Sequence, residues 1–389
     1  MSRLAVYEKN RELKAAGKVV GFPLYEKFSK LENYLPSIPK GKGGMITSFS
    51  GVGKTKLWKD MFMWQLIILG ETQDNFNPKI VINLLEEERE EFEDSFLCDY
   101  IFRKTGVVID PLELNSFTSS PLEEKKYKLV QELEEASRIL MNKYVLVEDG
   151  VYHATGLFAR CKRLSKEWGE HYWTQLHDPG KILITQADYD KLKKDGNQVG
   201  WKYSHYIPKD PDQYVLVVTD HAGLITPEYD NLIKKSLNLR ESMEKWSFHY
   251  GRKQLQKNYN WGQLDIVQQS QSAEEQQFTF RGQSILAKVK PSLANLGDNK
   301  ALQRNYHYVL SLFNPCRHIP DSTGTEYEGY DFERLKNNFR VLSLLKNRLG
   351  RDGVELPLFF NGAVNYFKQL PKPEELSLAT YAKIMKGIY

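Results

Sequence analysis

Met45-Ile-Thr-Ser-Phe-Ser-Gly-Val-Gly-Lys-Thr55 is the stretch on which the fold turns. Its first five residues read as a short strand, Met45–Phe49, because apolar and β-branched residues suit a pleated, buried position. A glycine-containing turn follows, and Lys54-Thr55 then opens a helix whose apolar residues Leu57, Met61, Trp64 and Ile67 recur at helical spacing. Gly51 and Gly53 let the backbone of Ser50, Gly51, Val52 and Gly53 wrap phosphate oxygens with N–H groups. The positive end of the helix dipole adds to that field. Lys54 can reach the β- and γ-phosphates, and the Thr55 hydroxyl can ligate Mg²⁺. The strict spacing G-x-x-x-x-G-K-[ST] is broken at its first position by Ser48, a residue small enough to keep the turn tight. A nucleoside triphosphate with Mg²⁺ is therefore the expected ligand.

Outward from this loop, short apolar runs alternate with amphipathic segments, which is the pattern of an α/β domain with a mostly parallel central sheet. Strands are expected at Met45–Phe49, Ile80–Leu85, Tyr144–Val147, Tyr214–Thr219, Leu264–Gln269, Tyr306–Phe313, Phe339–Leu345 and Val354–Phe360. Helices are expected at Lys54–Ile68, Glu88–Lys104, Leu122–Met141, Gly156–Trp168 and Asn231–Gly251, after a short N-terminal helix over 2–16 that ends at Gly17. Two stretches break the alternation. Residues 170–212, rich in aromatics and lysines with Asp-Gly and Pro-Gly turn signals, read as an inserted hairpin or small subdomain. Residues 271–300 are polar and read as one long loop, a length that inside a compact domain usually means function or disorder.

Composition narrows the setting. With 41% hydrophobic and 12% aromatic residues among 389, the chain can bury a core, so wholesale disorder is excluded. No run approaches the ~18 apolar residues of a membrane span, and the N-terminus lacks the apolar segment of a signal peptide. Cys98, Cys161 and Cys316 are too few and scattered for a disulfide framework or a cysteine zinc site. A soluble, cytoplasmic protein with no membrane partner is the expectation. The formal charge of +4 names no partner.

In a parallel sheet the carboxyl ends of the strands converge on the ligand edge. Three of them carry suitable chemistry. Glu86, in the run Glu86-Glu87-Glu88 after Ile80–Leu85, could polarise an attacking water. Asp220, after Tyr214–Thr219, could hold Mg²⁺ through its water shell. Gln269, ending Leu264–Gln269, could sense the γ-phosphate by hydrogen bonding. Any one of these could instead be a helix cap or a solvated turn. With the phosphate loop they make four strand ends of matching chemistry.

These residues bring a family into view. Gly21-Phe-Pro-Leu-Tyr25, Asn83-Leu-Leu-Glu-Glu-Glu88, Val147-Glu-Asp-Gly-Val-Tyr-His-Ala-Thr155, Thr219-Asp220-His221 and Leu345-Lys346-Asn-Arg348-Leu-Gly350 resemble the RecA-like, DnaB-type replicative helicases, including phage versions, over 21–367 outside the insertion. The resemblance implies a RecA-like P-loop NTPase core over 41–367, an N-terminal arm over 1–40 and a tail over 368–389. It also implies ATP as the nucleotide and a homo-oligomeric ring, most simply a hexamer, moving 5′ to 3′ on single-stranded DNA, with a primase or loader as a possible partner. It places the catalytic glutamate on Glu86, and on Lys346 and Arg348 a finger reaching the ATP of a neighbouring subunit. Two cations two residues apart on a strand point to one side, and together they can neutralise charge on a transferred γ-phosphoryl group. Ser48 and the insertion depart from the family pattern. The phosphate-loop strand begins at Met45, which leaves no room for a primase-binding N-terminal domain, so ring formation is expected to rest on the short N-terminal helix and the ATP interface.

In that family, loops facing the ring channel hold DNA by its backbone, and the segment 271–300 is the corresponding candidate. There Arg281, Lys288 and Lys290 can meet phosphates, with Phe278 and Phe280 beside them. Two other readings stay open: a recombinase or repair ATPase that coats DNA as a filament, and a packaging or regulatory ATPase. A packaging motor usually has a glutamate directly after the metal-holding aspartate, where this chain has His221.

Overall fold

The structure, a computed structural model, describes residues 3–24, 27–269, 279–280, 283–284, 290–299, 302–317 and 326–386. Its centre is a nine-stranded sheet. In chain order the strands are β1 (Gly43–Ser48), β2 (Asn77–Leu84), β3 (Val145–Glu148), β4 (Gln213–Asp220) and β5 (Gly262–Gln268). Then come β6 (Tyr308–Phe313), β7 (Phe339–Asn347), β8 (Glu355–Asn361) and β9 (Tyr366–Gln369). Across the sheet they run β9–β8–β7–β6–β1–β5–β4–β2–β3. The six from β6 to β3 are parallel, and β7, β8 and β9 continue the sheet antiparallel.

A parallel sheet needs cover on both faces, so its strands read as unbroken apolar runs. Every residue of β1 and β4 is buried. Alternation along each strand sends neighbours to opposite faces. Ile46, Ile80, Ile82 and Val218 join one core under the helices over 54–72 and Arg89–Thr105. Met45, Val81, Val217 and Val267 join the other, with Leu157, Trp246 and Trp261.

All eight expected strands are present within a few residues of their expected ends. The short edge strand β9 had not been anticipated. The expected inserted subdomain is a three-stranded antiparallel sheet of Gly169–Gln175, Leu183–Thr185 and Trp201–Pro208 with the helix Gln186–Lys194, where Trp173 stacks on Tyr189 at 3.6 Å between ring centres. The helix expected at Asn231–Gly251 starts later and runs Leu239–Glu244 and on through Lys245–Gln256. Residues before it pair as Tyr229–Asp230 with Lys235–Ser236. Local polar bonds outcompete helix there: Asp230 Oδ1 accepts from the N–H of Leu232 (2.9 Å) and Ile233 (3.3 Å). Asn238 and Glu241 then form a capping box that fixes the true start. At the chain's other end, the helix Leu378–Met385 buries Tyr381 and Ile384 against Phe339 and Phe359.

One buried carboxylate sits inside the sheet. Asp265 on β5 accepts from Tyr306 Oη (2.5 Å), Gln263 Nε2 (2.6 Å) and Trp246 Nε1 (3.0 Å). Burial outweighs these donors and pushes its pKa up to about 6. The folded chain therefore holds this proton more tightly than the unfolded chain. Above pH 6 the carboxylate is charged in both states and its burial penalty is fully present, and the penalty is relieved as pH falls through 6 towards 4. The wild type, measured against Asp265→Asn, is expected to gain stability on the order of 2 kcal/mol between pH 7.5 and pH 4.5. Parallel chemical unfolding at the two pH values checks this, and an unchanged difference between the two proteins would count against the shift.

Candidate nucleotide-binding site

The loop after β1 turns because Gly51 (φ +65°) and Gly53 (φ +111°) adopt the left-handed region that side chains disfavour. Ser48, the departure from the expected glycine, is fully buried, and its hydroxyl donates to the Phe49 carbonyl at 2.8 Å. Two of the loop's carbonyls are held by distant arginines. Arg317 Nη1 donates to Ser50 O (2.5 Å) and Arg340 Nε to Val52 O (2.9 Å). Carbonyls anchored on cations in this way are kept from facing a bound anion, which they would repel, and this favours the loop's N–H groups as the phosphate-facing atoms. Lys54 Nζ folds back onto Phe49 O at 3.0 Å. The helix over 54–72 continues from the loop through a wider, π-type segment, Lys59–Trp64.

Asp220 ends β4 beside this helix and is buried. Trp58 Nε1 donates to its Oδ2 at 2.6 Å, and the Thr55 hydroxyl is in hydrogen-bonding reach of the same carboxylate. Burial raises its pKa, with the nearby Glu86 charge acting in the same sense, while the Trp58 and Thr55 bonds and the Lys59 charge pull it down. Its second oxygen, Oδ1, is buried without a hydrogen-bond partner among the described residues. An orphaned anionic oxygen beside a threonine hydroxyl fits a divalent cation's water shell. No cluster of three or more His, Cys, Asp or Glu side chains able to hold a metal occurs among the described residues.

The three glutamates after β2 separate by environment. Glu88 caps the helix Arg89–Thr105 in a reciprocal box with Glu91. Glu87 accepts from the buried Lys59 Nζ at 2.7 Å. Glu86 is exposed, has no hydrogen bond or ion pair among the described residues, and lies close enough to Asp220 to affect its titration. Register explains that proximity, since Leu84 pairs with Asp220 and Leu85 N donates to Asp220 O at 2.7 Å. Gln269, one residue past β5, donates its backbone N–H to Ser48 O (2.9 Å) and its side chain to Ser292 O (3.3 Å). It thus ties the opening of the phosphate loop to the polar segment. His221 Nδ1 accepts from Gly223 N (2.9 Å), so that position is a turn cap.

Lys346 and Arg348 lie elsewhere. β7 runs antiparallel, and Tyr308 on β6 pairs with both Asn347 and Gly44. The two cations are therefore at the edge where β1 begins, at least ~13 Å along the strands from Ser48. Arg348 is exposed with no side-chain partner among the described residues. Lys346 donates to the Gln303 carbonyl. Of the residues expected at nucleic acid, Arg281 and Lys288 fall outside the described residues. Lys290 is paired with Glu355 at 3.0 Å and stands over the Tyr327 ring.

Sequence reasoning missed Trp58, Arg317, Arg340 and the Lys59–Glu87 pair. Only Trp58 had a local signal, its i+3 spacing from Thr55 on one helix face.

No protein-family model and no curated protein matches the chain. Among solved structures it is similar to one of an ATPase domain, with TM-score 0.60 and 14% identity, covering 94% of this chain and 98% of that one. It is also similar to a DnaB-like replicative helicase solved in a study of its interactions with primase, with TM-score 0.59 and 13% identity, covering 95% of this chain and 67% of that one. The fold is that of a RecA-like ATPase domain.

Proposed function

We propose that the chain is an ATP-driven DNA helicase whose copies form a ring, most simply a hexamer, around single-stranded DNA. One observation carries this reading. Lys54, Thr55, Asp220, Glu86 and Gln269 gather at one edge of the sheet, while Lys346 and Arg348 stand at the other. A site so divided is completed by the next copy in a head-to-tail contact, which closes into a ring or extends as a filament.

Lys54 exchanges the Phe49 carbonyl for the β- and γ-phosphates. Mg²⁺, when bound near Thr55 and Asp220, neutralises charge on those phosphates. Glu86, the unpaired carboxylate of the three, accepts a proton from the attacking water. Arg348 and Lys346 from the neighbour stabilise charge on the transferred group. Gln269 reports the nucleotide's state to the polar segment through Ser292. There Arg281 and Lys288 meet the DNA backbone, and Lys290 joins them by exchanging Glu355 for a phosphate. The family resemblance supports replication as the setting, 5′-to-3′ movement and a primase or loader as partner. No helix among the described residues is long and apolar enough to cross a membrane; work in the cytoplasm is what the family resemblance implies.

The test is mass measurement and electron microscopy with a non-hydrolysable ATP analogue and single-stranded DNA, followed by unwinding of a forked duplex. Closed rings and strand separation are expected. Open helical filaments without unwinding would move the chain to the recombinases, and an inert monomer would remove the reading.

A further inference from the structure

The edge carrying Lys346 and Arg348 holds more positive charge than those two residues. Arg252, on the helical segment Lys245–Gln256, donates Nη1 to the Arg304 carbonyl at 2.9 Å. Lys346 donates to the carbonyl just before it, that of Gln303. Two cations from different elements thus grip successive carbonyls of one turn, Leu302–Asn305. That turn is a firm platform: Leu302 is buried, and Asn305 Nδ2 bonds Ser247 Oγ at 2.9 Å, on the same helix as Arg252. Arg348 is next to it, its backbone N–H on His307 O at 2.7 Å. Lys42 adjoins through the same histidine, whose Nδ1 accepts from Gly43 N at 3.1 Å.

No carboxylate pairs with Lys42, Arg252, Lys346 or Arg348 among the described residues. Burial and then the charges of Arg348 and Arg252 lower the Lys346 pKa to about 8. Burial, then Lys42, Arg252 and Arg348, lower that of His307 to about 4. Like charges held together without a counterion raise the free energy of the isolated chain, and an anion from outside relieves it. The protein's own phosphate loop is at the far edge of the sheet.

We propose that Arg252 is a third cation acting in trans, moving from the Arg304 carbonyl to the polyphosphate of a nucleotide bound by the next copy. This rests on the ring reading above and adds to it a residue outside the Lys346–Arg348 pair. The alternative anion is a DNA phosphate, which offers the same chemistry.

The experiment measures binding of a fluorescent ATP analogue to full-length protein, first dilute and then at concentrations where sedimentation shows assembly. Wild type, Arg252→Ala, Arg252→Gln and Arg348→Ala are compared. Glutamine keeps a donor for the Arg304 carbonyl and removes only the charge, so it also serves if the alanine variant fails to fold. Wild-type affinity is expected to tighten on assembly. Both Arg252 variants should bind like wild type when dilute and lose about tenfold of the tightening. Full tightening in Arg252→Gln, with tightening lost in Arg348→Ala, overturns the assignment of Arg252 and leaves the ring reading intact. Full tightening in Arg348→Ala as well removes the trans-cation reading itself. If the Arg252 variants instead weaken binding of a single-stranded oligonucleotide and leave nucleotide affinity untouched, the anion is DNA and the proposal fails.

Discussion

Arg348→Ala is expected to lower DNA-stimulated ATP hydrolysis by about 10³-fold or more, while the dilute protein binds nucleotide as before. The argument is positional. β7 carries Arg348 to the edge where β1 begins, and the phosphate loop starts where β1 ends. No rotamer of an arginine spans that distance, so within one subunit the side chain cannot touch the nucleotide. Its exposure, without a partner among the described residues, means that truncation leaves no buried group unsatisfied. A fold defect is therefore not expected, and thermal unfolding of the variant should match wild type within a few degrees. A large loss of turnover combined with unchanged stability marks a group used in the chemistry, and with its own subunit's nucleotide out of reach, Arg348 would serve the neighbour's. Turnover within twofold of wild type would mean that Arg348 is a solvated basic turn.

How much of this was legible beforehand depended on sequence distance. The strand, loop and helix around Lys54 are contiguous, and their periodicity, glycines and Lys-Thr pair are local facts that survived intact. Glu86, Asp220 and Gln269 could be placed at one edge beforehand because each ends an apolar run, and parallel register brings such ends together. The arginines that hold the loop were invisible for the opposite reason. Arg317 and Arg340 lie 267 and 288 residues from their partners Ser50 and Val52, and nothing around either arginine marks a backbone carbonyl as its target. The delayed helix before Lys245 was misjudged because two side-chain caps, from Asp230 and Asn238, override an apolar pattern that continues through them. β9 was missed because four residues at a sheet edge carry too little alternation to stand out from a loop.

Three adjacent glutamates pose the sharper question of which one does chemistry, and the structure separates them in a way that substitution can test. Glu86→Gln is expected to reduce turnover by about 10³-fold with nucleotide affinity kept, because the amide fills the same space and cannot take a proton from water. Glu87→Gln removes one charge from a pair whose other member, Lys59, is buried and also donates to Ser95 Oγ at 3.3 Å. An uncompensated buried ammonium costs folding free energy, so this variant should melt earlier and lose only a modest share of turnover. Glu88→Gln keeps a carbonyl oxygen for the helix cap and should be close to neutral. Single-turnover hydrolysis, analogue binding and thermal unfolding on all three separate chemistry from stability. A general base must be free to accept its proton, and a carboxylate engaged by a lysine or a helix N-terminus is already serving another group. If Glu87→Gln were the inactive variant and Glu86→Gln turned over normally, the Lys59 pair would have to open during catalysis, and the base would be the residue that the resting geometry ties down.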